Sequence, residues 1–185
     1  YRYNSPATDN GGRYYYITDG KTTFSPSFLP GKTPLDKYKC RHGLNYTVFE
    51  SQKNGVSANL TCFVPLNDNC EINLLQIKND SKETKTLSIY GGVEFCLWNA
   101  QDDTTNFQRN YSTGEVEIAT EKNYAAIYHK TEYRERRDHY SFFSLNAEIS
   151  GYDTDRDTFL GKFNGFDSPD AVNKRTSFNE IGRAH

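Results

Sequence analysis

The residues best equipped for chemistry lie between positions 102 and 139. Asp102 and Asp103 form an adjacent acidic pair, and two carboxylates set across a bond are the usual equipment for glycoside cleavage. Neighbours in sequence cannot easily take that role, because on a strand they point to opposite faces and on a turn both stand in water. The pair therefore reads as a structural loop. His129 and His139 bracket Lys130-Thr131-Glu132-Tyr133-Arg134-Glu135-Arg136-Arg137-Asp138, a dense run of both signs. Such a run ordinarily forms a solvated face laced with weak ion pairs, although the planar fork of arginine also grips oxyanions at two points. Phe107-Gln108-Arg109-Asn110 is different in kind, with an aromatic face, an amide and a guanidinium in succession. Those are the groups that a sugar-hydroxyl site beside a phosphate uses, and by itself an exposed polar loop carries the same mixture.

The local signatures of other chemistries are missing. The chain contains no Gly-x-Ser-x-Gly, no phosphate-cradling Gly-rich loop and no His-Glu-x-x-His, so nucleophile-elbow, nucleotide and zinc-protease readings have no anchor. Cys40, Cys62, Cys70 and Cys96 are spaced 22, 8 and 26 residues apart without a Cys-x-x-Cys. Buried free thiols are expected, with no metal site and no cofactor. A formal charge of -2 gives no global attraction to nucleic acid or to an anionic membrane surface. No apolar stretch approaches the ~20 residues of a membrane helix. Asn-x-Ser/Thr triplets at Asn45, Asn59, Asn79 and Asn110 raise a secreted glycoprotein, but without a leader or a disulfide pattern a cytoplasmic origin is expected. The chain has no methionine and opens on Tyr1; it reads as an excised piece of something longer.

The elements that position these residues read as strands. Tyr and Phe number 14 and 12, and aromatic side chains suit pleated, half-buried surfaces. Arg13 to Thr18, then Asp19-Gly20, then Lys21 to Ser25 reads as a hairpin. After Pro26, Pro30 and Pro34 comes an extended run from His42 to Glu50. Lys53-Asn54-Gly55 separates two segments of alternating polarity and predicts a second hairpin. Glu71 to Lys78 and Thr84 to Tyr90 predict a third pair. Short strands continue at Val93 to Trp98, Glu115 to Ile118, Tyr124 to Tyr128 and Tyr140 to Leu145. Many short strands without 3.6 periodicity argue for an all-β antiparallel sandwich or barrel, and residues 152–185 are expected to be loop-rich.

Several stretches carry a resemblance. Cys40-Arg41-His42-Gly43-Leu44, Val93-Glu94-Phe95-Cys96-Leu97-Trp98, Thr105-Asn106-Phe107-Gln108-Arg109-Asn110, Gly114-Glu115-Val116-Glu117, Tyr128 to Arg137 and Gly151-Tyr152-Asp153-Thr154-Asp155-Arg156 look like the inverting cellobiose and chitobiose phosphorylases. The resemblance implies that residues 1–185 are the N-terminal β-sandwich of a large enzyme. That fold is a galactose-mutarotase-like super-sandwich, here incomplete at its N-terminal edge, whose last part leads toward an absent helical linker and catalytic barrel. In such enzymes inorganic phosphate attacks the anomeric carbon of a β-linked disaccharide, so one protein acid suffices. No position here matches that acid. The resemblance further implies a homodimer in which a sandwich loop reaches the partner's active site, and Phe107, Gln108 and Arg109 match that loop as substrate-binding residues. Cellobiose is the expected disaccharide and chitobiose the alternative. A stand-alone carbohydrate-binding sandwich is the competing reading from another class.

Overall fold

Asp19 makes the first turn. Its Oδ1 accepts from the backbone N–H of Lys21 and of Thr22 at 2.9 and 2.7 Å, and Gly20 follows at a φ of 89°. The hairpin predicted here forms between β1 (Arg13–Thr18) and β2 (Thr23–Phe24) with Ile17 opposite Phe24, its link running from Asp19 to Thr22. The computed structural model describes residues 12–95, 114–121, 124–131 and 140–177. Contacts divide the chain into two compact units, one of Tyr14–Gly91 and the other of Tyr1–Arg13 with Gly92–His185.

Within the Tyr14–Gly91 unit, β3 (Lys37–His42), β4 (Tyr46–Lys53), β5 (Val56–Phe63) and β6 (Ile72–Asn79) form a four-stranded antiparallel sheet in chain order. The expected Asn-Gly turn joins β4 to β5: Lys53 pairs with Val56, and Asn54 and Gly55 take φ values of 49° and 72°, the left-handed pair that suits a two-residue hairpin. Along β5, Val56, Ala58 and Leu60 are buried while Ser57, Asn59 and Thr61 are half-buried, the period of two expected of a sheet with one covered face. Ile17 and Phe24 meet Val56 and Ala58, flanked by Leu35, Leu75, Ile77 and Leu87, to make the core between two sheets. Each large side chain buried there contributes about 1.5–3 kcal/mol.

Two sequence expectations are corrected. The run from His42 to Glu50 is not one strand, because the chain turns at Gly43, whose N–H donates to the Tyr46 carbonyl at 2.8 Å. The Tyr46 ring lies 2.3 Å from where a Cβ on Gly43 would stand, so a residue without a side chain permits the turn. The third predicted pair also does not form. β6 pairs only backward with β5, whereas β7 (Ser88–Val93) crosses to the other sheet, whose order is β2-β1-β7. Asn79 Nδ2 donates to the Glu83 carbonyl, holding the link at the sheet end, and Leu87 then enters the core, which carries the chain from one layer to the other.

In the second unit, β8 (Gly114–Glu121), β9 (Tyr124–Thr131) and β10 (Tyr140–Leu145) form an antiparallel sheet in the order β10-β9-β8. The end expected to be loop-rich holds two one-turn helices, α1 (Arg156–Leu160) and α2 (Asp170–Lys174). The Asp155 side chain accepts from Thr158 N and caps α1. Gly161 ends it at φ 81° and ψ 162°, a region open almost to glycine alone. Leu160, Ala171 and Val172 are buried. Among the described residues no helix is long and apolar enough to cross a membrane.

Candidate functional site

Phe107, Gln108 and Arg109 lie outside the described residues, as do Asp102, Asp103, Cys96 and His139. The described chain stops at Phe95 and resumes at Gly114, so the geometry available is that of the two roots from which the predicted loop springs. At the first root Glu94 is tied on both sides. Its N–H donates to the Gly12 carbonyl at 2.9 Å, and its two carboxylate oxygens accept from Nε and Nη2 of Arg156 in a two-pronged ion pair. Planar two-point pairing of this kind is stronger and more directional than a single contact. The same guanidinium lies over the Phe166 ring, 5.6 Å from its centroid.

At the next residue Phe95 sets its ring 6.0 Å from the imidazole of His129. His129 sits on β9 between Val116 on β8 and Ser141 on β10, so Phe95 packs against the middle strand of this sheet. Burial holds the His129 pKa below the usual histidine value, because a half-buried imidazole loses hydration when it charges. Ser141 Oγ is buried with no hydrogen-bond partner among the described residues. Serine and histidine thus face each other across the ladder without the hydrogen bond that a nucleophile and its base need, and the contact His129 makes is with the Phe95 ring.

In the sequence His129 borders the charge run 130–138, and in the structure it is half-buried against Phe95. The sequence reading passed over Glu94 and Arg156 as partners. They are 62 positions apart, a distance that no local periodicity spans. Each nonetheless falls inside a stretch on which the family resemblance rests.

The Tyr14–Gly91 unit offers two lesser candidates. The open face of its four-stranded sheet forms a trough of about 860 Å³ whose polar lining includes Lys37, Glu50, Gln52, Asn59, Gln76 and Lys78. At its end Asp80 is held by Lys78, Ser57 and Gln52, and the Lys78 hydrogen bond keeps its pKa below the usual carboxylate value. On β3, Cys40 Sγ lies 3.4 Å from His42 Nε2, while His42 Nδ1 lies 3.0 Å from Thr47 Oγ1. Cys40, Cys62 and Cys70 form no disulfide, and Cys40 and Cys62 are only partly buried while Cys70 is exposed. The expectation of buried thiols is corrected for these three: Cys40 lies on the edge strand β3, Cys62 near the end of the interior strand β5, and Cys70 in the link before β6. Among the described residues no three metal-ligating side chains come together.

Two antiparallel sheets closed over a shared apolar cluster, in a chain that also folds a third antiparallel sheet, define an all-β sandwich domain. Residues 1–185 match the family described as glycosyl hydrolase 94, supersandwich domain. The chain belongs to that family. It is 32% identical over 191 residues to the N,N'-diacetylchitobiose phosphorylase of Vibrio furnissii, covering 96% of this chain and 23% of that protein. To the solabiose phosphorylase of Paenibacillus borealis it is 28% identical over 173 residues, or 92% of this chain and 22% of that protein. The N,N'-diacetylchitobiose phosphorylase of Vibrio proteolyticus is 31% identical over 189 residues, again 96% and 23%. The chain spans less than a quarter of the length of these relatives.

Proposed function

We propose that this chain is the sandwich part of a phosphorylase that cleaves a β-linked disaccharide with inorganic phosphate, inverting the anomeric centre, and that the sandwich itself holds no catalytic acid. The observation that carries the reading is the full-length match to a supersandwich domain together with relatives named as disaccharide phosphorylases. The reaction needs no cofactor: phosphate is the nucleophile, so a single acid is required to protonate the leaving sugar oxygen, and that acid belongs to a catalytic barrel beyond residues 152–185. Cellobiose is the disaccharide proposed from Asn106-Phe107-Gln108-Arg109 and Ser112-Thr113-Gly114-Glu115. Chitobiose is the second reading, favoured by Trp98 to Asp103 and by the two Vibrio relatives.

The contribution proposed for the sandwich is a substrate-side loop in a cytoplasmic homodimer. Arg109 would meet substrate or phosphate, Gln108 a sugar hydroxyl, and Phe107 would wall the ring. The first root, tied at Glu94 and at Phe95, supports this reading, since it fixes the point from which the chain leaves toward Phe107 in sequence. Arg109→Ala in the full-length enzyme is expected to lower kcat/KM for phosphorolysis about 10- to 150-fold, the equivalent of one charge-assisted contact of about 1.5–3 kcal/mol. Release of sugar 1-phosphate from cellobiose and from chitobiose measures it, and unchanged kinetics on both would overturn the assignment.

A further inference from the structure

One face of the sheet β10-β9-β8 exposes a row of three aromatic side chains. Phe142 pairs with Tyr128, and Tyr140 lies two residues before Phe142, so the alternation of a strand places all three side chains on one face. They are 57%, 37% and 62% exposed, in the order Phe142, Tyr128, Tyr140. The opposite face carries Val116, Ile118, Ile127, Phe143 and Leu145, all partly buried, which is where this sheet finds its apolar packing. A sheet with one covered face ordinarily places polar side chains on the other. Here Glu117 and Ser144 keep that rule and Ala126 on the same face is buried, while Tyr128, Tyr140 and Phe142 are the exceptions.

The size and chemistry of the row select its occupant. An aromatic side chain offers about 150–250 Å², so at these exposures the row presents about 300 Å². A stable protein interface buries about 800 Å² per partner, far more than this row supplies. The rings of Tyr128 and Phe142 stand 6.1 Å apart and tilted by 42°, forming an angled wall. Directly across the ladder from Tyr128 is Glu117, also exposed. Apolar ring faces beside a carboxylate and phenolic hydroxyls match a ligand that is apolar on one face and rimmed with hydroxyl donors. A pyranose has that character, with its C–H bonds on the flat face and its hydroxyls around the edge.

We infer that Tyr128, Tyr140 and Phe142, with Glu117, form a surface site for a β-linked oligosaccharide, separate from the loop that carries Phe107, Gln108 and Arg109 in sequence. The choice of β-linked sugars rests on the phosphorylase reading above; the site itself rests on the sheet. Two sugar units laid along Tyr140 and Phe142 stack on alternate positions of one strand, while Glu117 accepts from the hydroxyls of the unit over Tyr128. The site concentrates longer glycans at the domain without taking part in bond cleavage.

The test is native gel electrophoresis of the full-length protein through gels holding hydroxyethylcellulose, glycol chitin or, as the α-linked control, dextran. Phosphorolysis of cellobiose and chitobiose is assayed in parallel. The wild type is expected to be retarded by one or both β-linked polymers and not by dextran. Tyr140→Ala and Phe142→Ser should each raise the apparent dissociation constant about five- to tenfold, Tyr140→Phe should keep the retardation, and disaccharide phosphorolysis should stay unchanged in all three. Equal mobility with and without β-linked polymer, equal retardation by dextran, or variants retarded like the wild type would each overturn the site. Absent phosphorolysis with intact retardation would count against the function proposed above and leave this site standing.

Discussion

The pairing of Arg156 with Glu94 makes a quantitative claim about the loop root. The Glu94 side chain is 16% exposed and that of Arg156 38%, between the surface case, worth about 0–1 kcal/mol, and the fully buried case, where removing one partner costs about 3–5 kcal/mol. Arg156→Ala leaves a largely buried carboxylate uncompensated and also removes the contact over Phe166. The expected cost is about 2–3 kcal/mol. It should appear locally, as a fall of roughly 30-fold or more in hydrogen-exchange protection around residues 92–95 and 156–160. Hydrogen exchange read by mass spectrometry on the full-length protein reports both segments at once. In a Glu94→Gln background the same change should cost much less, because the charge it would strand is gone, giving a coupling of about 2 kcal/mol. Arg156→Lys should recover only part of the protection, since a point charge cannot reproduce the two-pronged geometry. If the two substitutions add to within about 0.5 kcal/mol, the pair is not coupled and the anchoring argument fails.

Two further outcomes follow from single positions. His129 has a folded-state pKa below 6.5, so its contribution to stability is fully present above the unfolded pKa and is lost as pH falls through the folded one. Acidifying from pH 7.5 toward 5 should destabilise this unit, and His129→Phe should flatten that slope; an unchanged slope by thermal unfolding would show that the imidazole is not the group responsible. Gly161→Ala forces a side chain into a backbone region nearly closed to it and places Cβ 2.5 Å from the Asp170 carboxylate. A loss of about 2–3 kcal/mol is expected, against little or no effect if the α1–α2 corner simply relaxes.

The strands that read most clearly were those whose signals are local. Asn54-Gly55 specifies its hairpin because both residues tolerate a positive φ, and Tyr140 to Leu145 alternates cleanly enough that its bounds match β10. Gly43 misled the reading because its role depends on the ring of Tyr46, a contact invisible to periodicity. β7 misled it because pairing with β1 rather than β6 is a choice between two partners of similar propensity, decided by Leu87 entering the core. Phe107, Gln108 and Arg109, which lie outside the described residues, were singled out by their chemistry and their resemblance. Their anchors were not, since an ion pair across 62 positions and a ring contact between Phe95 and His129 leave no mark on either neighbourhood.

The order β2-β1-β7 also sets the sequence of events by which the Tyr14–Gly91 unit is assembled. Hairpins β3 to β6 join neighbours in the chain and need only short loops to close, so they form early and cheaply. Strand β1 cannot complete its sheet until β7 arrives, and Thr18 and Ser88 are separated by 70 positions. On the ribosome, the first strand made therefore waits for the last. Until then the edge of β1 that will carry β7 stays open, and Leu87 has not yet closed the flank of the core beside Ile17 and Phe24, which makes this interval the point at which a chaperone, or a second nascent chain, has something to hold.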